Sequence, residues 1–208
     1  MATIPFKEEG QAIIVLGGFT DNGDVLWNAK SGDPDLAAMR ADSAIGAIGS
    51  HLGQSTWLRE IRGKEDGSPP PVDLAMERRV GELVRELIES YRCNTVHDIS
   101  DGGAAIALAE MAMASGIGAN VHTLGDTLLD MFGEDQARYI ITLSITEREE
   151  WDAFKSECDD AGVSADWIGF TGGTSFSWKD DEDQVLFNIP IAQMVEANES
   201  FFKNWMED

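Results

Sequence analysis

The sequence has 208 residues, with 38 acidic and 15 basic side chains and a formal net charge of −23 at pH 7. This length suits one domain with its own core, and a hydrophobic fraction of 43% indicates a globular chain. No apolar run approaches the length of a membrane span, and so acidic a surface repels nucleic acid and anionic membranes. The composition therefore excludes membranes and nucleic acids as partners.

The N-terminus and the cysteines predict a cytoplasmic protein. Residues 1–9 lack a basic region followed by an apolar stretch, so no signal peptide is predicted. Two cysteines cannot build a disulfide framework. Cys93 is expected at the end of a helix and Cys158 on a helix's apolar face, which indicates packed thiols in a reducing compartment.

The first fifty residues predict one buried strand and one mobile loop. Ala12–Leu16 is a continuous apolar run of strand length, and a turn at 21–24 followed by residues 25–27 suggests a hairpin. Residues 29–50 are small and polar, with few apolar anchors to offset the entropy of ordering them. We therefore expect a single domain spanning 1–208, with a mobile loop at 29–50.

Two helices are predicted next. Residues 54–61 form a short one, and a polar linker closed by prolines follows at 62–71. Asp73 then caps the clearest helix of the chain, in which apolar residues recur at three- and four-residue steps. The expected core-facing stripe consists of Val80, Leu83, Val84, Leu87, Ile88 and Tyr91.

The most informative stretch is a strand at 95–99 that leads into an alanine-rich helix at 104–113. Ser100 or Asp101 is the expected N-cap, because a short side-chain oxygen can accept a bond from an amide of the first turn. The pair Gly102–Gly103 leaves that turn without Cβ atoms. The sequence therefore predicts a helix start whose backbone is open to close approach.

This helix start has two interpretations. Its unpaired N–H groups and positive dipole end would suit a phosphate or carboxylate, with magnesium bridging Asp98 and Asp101 to the anion. Alternatively, Gly102 and Gly103 only let the helix pack closely on its neighbour. The ligand interpretation predicts that Gly103→Val abolishes magnesium-dependent nucleotide binding while the fold stays cooperative.

The remaining chain alternates between strands and helices. Strands are expected at 119–122, 138–145, 167–171 and 184–188. A helical turn or two is expected at 124–132, and Thr146 with Glu149 forms a capping box for a helix that ends at Gly162. Residues 171–174 read as an ordinary turn, and Pro190 is expected at the first position of the last helix.

Strands interspersed with helices in this order predict an α+β fold, in which a mixed β-sheet is covered by helices on one face. No P-loop, Gly-x-Gly-x-x-Gly or Gly-x-Ser-x-Gly motif occurs in the sequence. Composition and periodicity thus indicate a fold class and leave the chemistry open.

Five short motifs in order carry a resemblance to a known family. They are Gly10-Gln-Ala-Ile-Ile-Val-Leu-Gly17, Gly53-Gln-Ser-Thr-Trp-Leu-Arg-Glu60, Pro70-Pro-Val-Asp-Leu74, His97-Asp-Ile-Ser-Asp-Gly-Gly103 with Ala107–Ala112, and Phe132-Gly-Glu-Asp-Gln-Ala-Arg138. Together they resemble the second half of formylglycinamide ribonucleotide amidotransferase, the synthetase subunit of purine biosynthesis, in the aminoimidazole-ribonucleotide-synthetase superfamily. The resemblance implies the C-terminal domain of that synthetase.

The resemblance also implies an activity for the complete enzyme, the ATP-dependent conversion of formylglycinamide ribonucleotide to formylglycinamidine ribonucleotide. The complete enzyme would use ATP and Mg²⁺ as cofactors. The partners of this chain would be the remaining synthetase domains, a glutaminase subunit and a small accessory subunit. The fragment alone is expected to be inactive, since the family's ATP-binding segments of this half do not occur in it. Two alternatives remain, a C-terminal domain of another superfamily member such as aminoimidazole ribonucleotide synthetase, and a non-catalytic structural module.

Candidate site residues follow from the same motifs, and none is assigned a catalytic role. Phosphate or nucleotide binding is expected at Ser100, Asp101, Gly102 and Gly103. Asp98 and Glu134 are the candidate metal ligands, with Asp101 and Asp135 as further carboxylates, and Gln136 and Arg138 are candidate ligand contacts.

His97 beside Asp98 also suggests acid–base chemistry. Adjacent residues of a strand point to opposite faces, so this pair would need a third group to work. A structural histidine is therefore the favoured interpretation of His97.

Overall fold

The computed structural model describes residues 1–17, 52–70, 72–123, 127–180 and 182–207, without the side chains of 201–205 and 207. The expected hairpin at 21–27 and the expected mobile loop at 29–50 lie outside the described residues.

Seven strands of the described residues form one sheet, in the order β2-β4-β1-β5-β3-β6-β7. They are β1 (Ala12–Gly17), β2 (Val96–Asp98), β3 (Ala119–His122), β4 (Arg138–Leu143), β5 (Ala165–Thr171), β6 (Ser175–Lys179) and β7 (Val185–Pro190). β3 and β6 run parallel and every other neighbouring pair runs antiparallel. The mixed sheet of the predicted α+β fold is therefore confirmed.

Helices connect the strands, and local sequence signals explain several of their ends. The helices are α1 (Thr56–Arg62), α2 (Leu74–Glu89), α3 (Gly103–Ser115), α4 (Thr127–Phe132), α5 (Arg148–Asp160) and α6 (Ile191–Glu207). Asp73 caps α2 as predicted, because its carboxylate accepts bonds from the amides of Ala75 at 2.9 Å and Met76 at 3.0 Å. None of the helices in the described residues is long and apolar enough to span a membrane.

Helices cover both faces of the sheet, so the expectation of one covered face is wrong. Ile13 of β1 belongs to the core on the side of Leu108 in α3. Its neighbour Ile14 belongs to the core on the side of Val80 in α2 and Phe154 in α5. Alternate side chains of a strand point to opposite faces, so a continuous apolar run such as β1 is buried on both.

Tyr91 does not belong to the buried stripe of α2. The helix ends at Glu89, and Tyr91 follows it with a positive φ of 59° and a side chain that is 88% exposed. The other expected members of the stripe pack on the core. The left-handed backbone after the helix turns the chain away before Tyr91 can continue the periodic face.

Three local predictions in the second half need correction. The capping box of α5 is shifted by one residue, with Glu150 accepting bonds from the amides of Thr146 at 2.8 Å and Glu147 at 3.1 Å. The sequence does not predict β6, because its short run of alternating serines and aromatics follows two glycines that are typical of a turn. Pro190 is the last residue of β7, and α6 begins at Ile191.

Candidate functional site

The stretch at 95–103 leads from β2, at one edge of the sheet, to α3, and its residues 100–103 form a turn that we call the signature turn. Ile99 is buried and donates its amide to the carbonyl of Arg138 at 2.9 Å, which extends the pairing past β2. Gly102 then takes the N-cap position with a φ of 83° and no side-chain cap. The prediction that Ser100 or Asp101 caps α3 is therefore wrong, because the chain turns through a left-handed glycine at that position.

A carboxylate from a distant loop serves the start of α3 instead. Glu134 Oε1 accepts the amide of Gly102 at 2.7 Å. The same oxygen accepts a hydrogen bond of 2.7 Å from the amide of Thr56. Thr56 is the first residue of α1. One internal anion thus occupies two helix starts at once, in the favourable position that a helix dipole gives to a negative charge.

Gly103 is required for close packing. A Cβ at this residue would lie 2.6 Å from the carbonyl oxygen of Met131 and 2.7 Å from backbone carbons of Phe132, at a φ of 70°. These are main-chain atoms of α4, which cannot move as the end of a side chain can. The packing interpretation of the two glycines is therefore supported, and these contacts lead us to expect that Gly103→Val disturbs the fold, in contrast to the expectation from the sequence.

The loop that carries Glu134 is held by Arg138. The guanidinium donates to the carbonyls of Gly133 at 2.6 Å and Asp135 at 3.3 Å, and it lies 3.8 Å from the Asp135 carboxylate. Burial lowers the pKa of Arg138, while the charges of Asp135 and Asp130 oppose that shift. These contacts give Arg138 a structural role, whereas Gln136, the other candidate ligand contact, is exposed.

His97 has a partner that sequence reasoning missed. Its ring is largely buried, and Nε2 lies 2.9 Å from Oε2 of Glu110 in α3. Nδ1 lies 3.3 Å from Oδ1 of Asp98, whose carboxylate is exposed. The third group is thus Glu110, and the available signal was that Glu110 is the one charged residue of α3. The arrangement ties β2 to α3.

The candidate metal ligands do not gather into a metal site in the described residues. No group of three His, Cys, Asp or Glu side chains there could hold a metal ion. Glu134 is committed to backbone amides, and the side chain of Asp98 is 62% exposed beside His97. The residues present do not fit a magnesium ion held by this chain alone, so no chemical step through a metal follows from this geometry.

A cleft of about 390 Å³ lies at the opposite end of β4 from Glu134. Gln11, Arg92 and Ser144 are among its lining residues. Their polar groups already have partners, since Gln11 bonds Thr142 and Ser144, and Arg92 bonds Glu157. None of the candidate site residues lines the cleft. The candidate functional site is therefore the turn at 100–103 and not this cleft.

The chain resembles known proteins in both sequence and fold. Residues 8–175 match the family described as AIR synthase related protein, C-terminal domain. Over 162 residues, the chain is 49% identical to the phosphoribosylformylglycinamidine synthase subunit PurL of Mesorhizobium japonicum, covering 76% of this chain and 21% of that protein. The PurL subunit of Chelativorans sp. is 39% identical over 210 residues, covering 100% of this chain and 24% of the relative. The chain therefore spans about a quarter or less of the length of these relatives.

Solved structures share the fold. The phosphoribosylformylglycinamidine synthase II of Thermotoga maritima superposes with a TM-score of 0.63 at 14% identity, over 93% of this chain and 27% of that one. PurL from the same organism complexed with ATP gives a TM-score of 0.61 at 13% identity, with the same coverage. At such low identity the similarity concerns the fold alone.

Proposed function

Because the chain belongs to the family of AIR synthase related proteins, as a C-terminal domain, we propose that it is part of a phosphoribosylformylglycinamidine synthase. The observation that carries this proposal is 49% identity with the Mesorhizobium japonicum PurL subunit. The alternative of another superfamily member, such as aminoimidazole ribonucleotide synthetase, is not favoured, because the curated relatives described above share the PurL name.

The reaction proposed for the whole enzyme is the ATP-dependent conversion of formylglycinamide ribonucleotide to formylglycinamidine ribonucleotide, in the cytoplasm. Solved PurL structures from Thermotoga maritima are described as complexes with ATP and with FGAR, and another as PurLQS. These descriptions support nucleotide and substrate binding, and partners beyond this chain, for the whole enzyme. Magnesium, a glutaminase subunit and a small accessory subunit complete the proposal.

The contribution we propose for this domain is to position and support the rest of the enzyme. Gly102 donates its amide to Glu134, and Gly103 donates its own to the carbonyl of Ser100 at 3.0 Å. An incoming phosphate at this turn would have to displace an internal carboxylate. That observation favours a structural module as a second candidate function. Nucleotide binding at Ser100–Gly103 and ligand contacts at Gln136 and Arg138 are kept as proposals, and Asp98 and Glu134 remain candidate metal ligands only together with groups from beyond this chain.

A chimera tests the proposed function. The region of the Mesorhizobium japonicum PurL subunit that matches this chain would be replaced by it, and the purified chimera assayed for ATP-dependent product formation with ammonia as nitrogen donor. We expect activity from the chimera and none from the 208-residue chain alone. A folded chimera without activity would contradict the proposed membership in this enzyme, and an active isolated chain would overturn the supporting role.

A further inference from the structure

The two edges of the sheet differ in their protection. Next to β2, Thr3 forms a parallel bridge with Thr95, and the amide of Val96 donates to the carbonyl of Thr3 at 3.2 Å. At the other edge, β7 pairs only with β6 among the described residues. An edge strand leaves every second backbone N–H and C=O directed outward, where another strand can pair with it.

β7 is also a preformed strand with apolar side chains in solvent. The ring of Phe187 packs edge-on against Phe176 of the core, with centroids 5.1 Å apart. Ile191, directly after the strand, is buried. In contrast, Val185 is 58% exposed and Leu186 is 43% exposed. A partner strand would therefore find a fixed backbone and apolar side chains to cover, at little cost in ordering β7.

The negative charge next to this edge favours a positively charged partner. From residue 180 to the end of β7 at Pro190 the sequence holds four acidic residues and neither lysine nor arginine. The basic side chain just before this stretch, Lys179, is already paired with Asp183 at 3.3 Å. A second copy of this chain would bring the same negative charge to the edge, and like charges repel. A segment that carries lysine or arginine is attracted instead.

We infer that the outer edge of β7 is a docking site for an extended, basic segment of another polypeptide, which adds to the sheet as a further strand. Backbone hydrogen bonds would supply affinity, aliphatic side chains of the segment would cover Val185 and Leu186, and its basic residues would meet the carboxylates of Asp180 and Glu182. This inference is independent of the proposed enzymatic function, because it uses none of the residues of the signature turn.

The test uses the 208-residue chain and fluorescently labelled synthetic peptides of alternating lysine and valine, measured by fluorescence anisotropy. A second peptide of the same sequence carries N-methyl groups on alternate backbone amides, which removes donors and blocks strand pairing without changing charge. A third replaces lysine by glutamate. We expect the first peptide to bind, and each of the other two to bind at least about ten-fold more weakly.

Two chain variants complete the test. Leu186→Lys places a charge on the edge and should weaken binding about ten-fold, while the matched control Leu74→Lys, at a residue that is 76% exposed at the start of α2, should leave it unchanged. Binding that N-methylation does not weaken would reduce the effect to charge attraction and overturn the inference. So would absence of binding, equal behaviour of the two variants, or a dimer of the unmodified chain that Leu186→Lys dissociates.

Discussion

Glu134 and Gly102 are joined across 32 residues of sequence by a hydrogen bond of 2.7 Å from the glycine amide to the carboxylate. The same oxygen holds the amide of Thr56, 78 residues before Glu134. Three distant segments therefore meet at one carboxylate, which satisfies amides that begin two helices. The turn expected to hold an external anion is occupied by an anion of the chain itself.

Removing this carboxylate should loosen both helix starts. Glu134→Ala leaves the amides of Gly102 and Thr56 without their acceptor, so we expect the free energy of unfolding to fall by about 1–3 kcal/mol. Amide hydrogen exchange should accelerate at both residues. Glu134→Gln keeps an acceptor oxygen and should lose less stability, and equal losses for the two variants would contradict the bridging role.

Gly103 should tolerate no side chain. In Gly103→Ala the new Cβ would meet main-chain atoms of Met131 and Phe132 at 2.6–2.7 Å in a left-handed conformation, so we expect a loss of about 3 kcal/mol or more. The control is Gly81→Ala in α2, where a Cβ meets nothing within 4 Å. That change should stabilise the protein by about 0.5–1 kcal/mol in urea unfolding. Similar unfolding midpoints for the two variants would show that the close packing is unimportant.

Arg138 should matter for stability whether or not any ligand is present. Its guanidinium binds the carbonyls of Gly133 and Asp135 from a buried position, so Arg138→Ala should cost about 3 kcal/mol and speed exchange across the loop at 133–137. Arg78 in the exposed pair with Glu82 is the control, and Arg78→Ala should change stability little. An Arg138→Ala protein as stable as the unmodified one would leave Arg138 free for a ligand role.

Cys158 should make the protein less stable in alkali. Burial raises the pKa of its thiol from 9.0 to about 12, so the unfolded chain loses this proton at a lower pH than the folded one. The unfolded state then binds fewer protons between pH 9 and about 12, and stability must fall as pH rises through that window. The loss of stability begins near pH 9, and its slope approaches at most about 1.4 kcal/mol per pH unit. Below pH 9 the thiol is protonated in both states, so the full stability is retained.

Chemical denaturation between pH 8 and 11 checks this slope, with Cys158→Ala as the comparison. The variant lacks the buried thiol, so its stability should decline less steeply in alkali, even though its stability at pH 8 is lower because of the cavity. Parallel curves for the two proteins would mean that Cys158 ionises as readily in the folded state as in the unfolded one.

The sequence by itself determined the elements whose signals are local. Ala12–Leu16 is an apolar run, Asp73 can reach only the amides just after it, and Gly116 ends α3 in a left-handed conformation. Periodicity and capping depend on residues within one or two turns, so they can be read from one stretch at a time. The ordered motifs identified the family for a similar reason, since they are short and contiguous.

Only the tertiary structure decided which groups the signature turn binds. The sequence offered Ser100 and Asp101 as caps and Glu134 as a metal ligand, and all three are chemically reasonable. The folded chain places Glu134 on Gly102 and Thr56 because β4 lies beside β2, a pairing of residues far apart in sequence. No local sequence pattern encodes a contact between residues so far apart along the chain. Burial of both faces of the sheet stabilises the pairing of β2 with β4. The Glu134 carboxylate then accepts hydrogen bonds from amides that this packing leaves without a backbone partner.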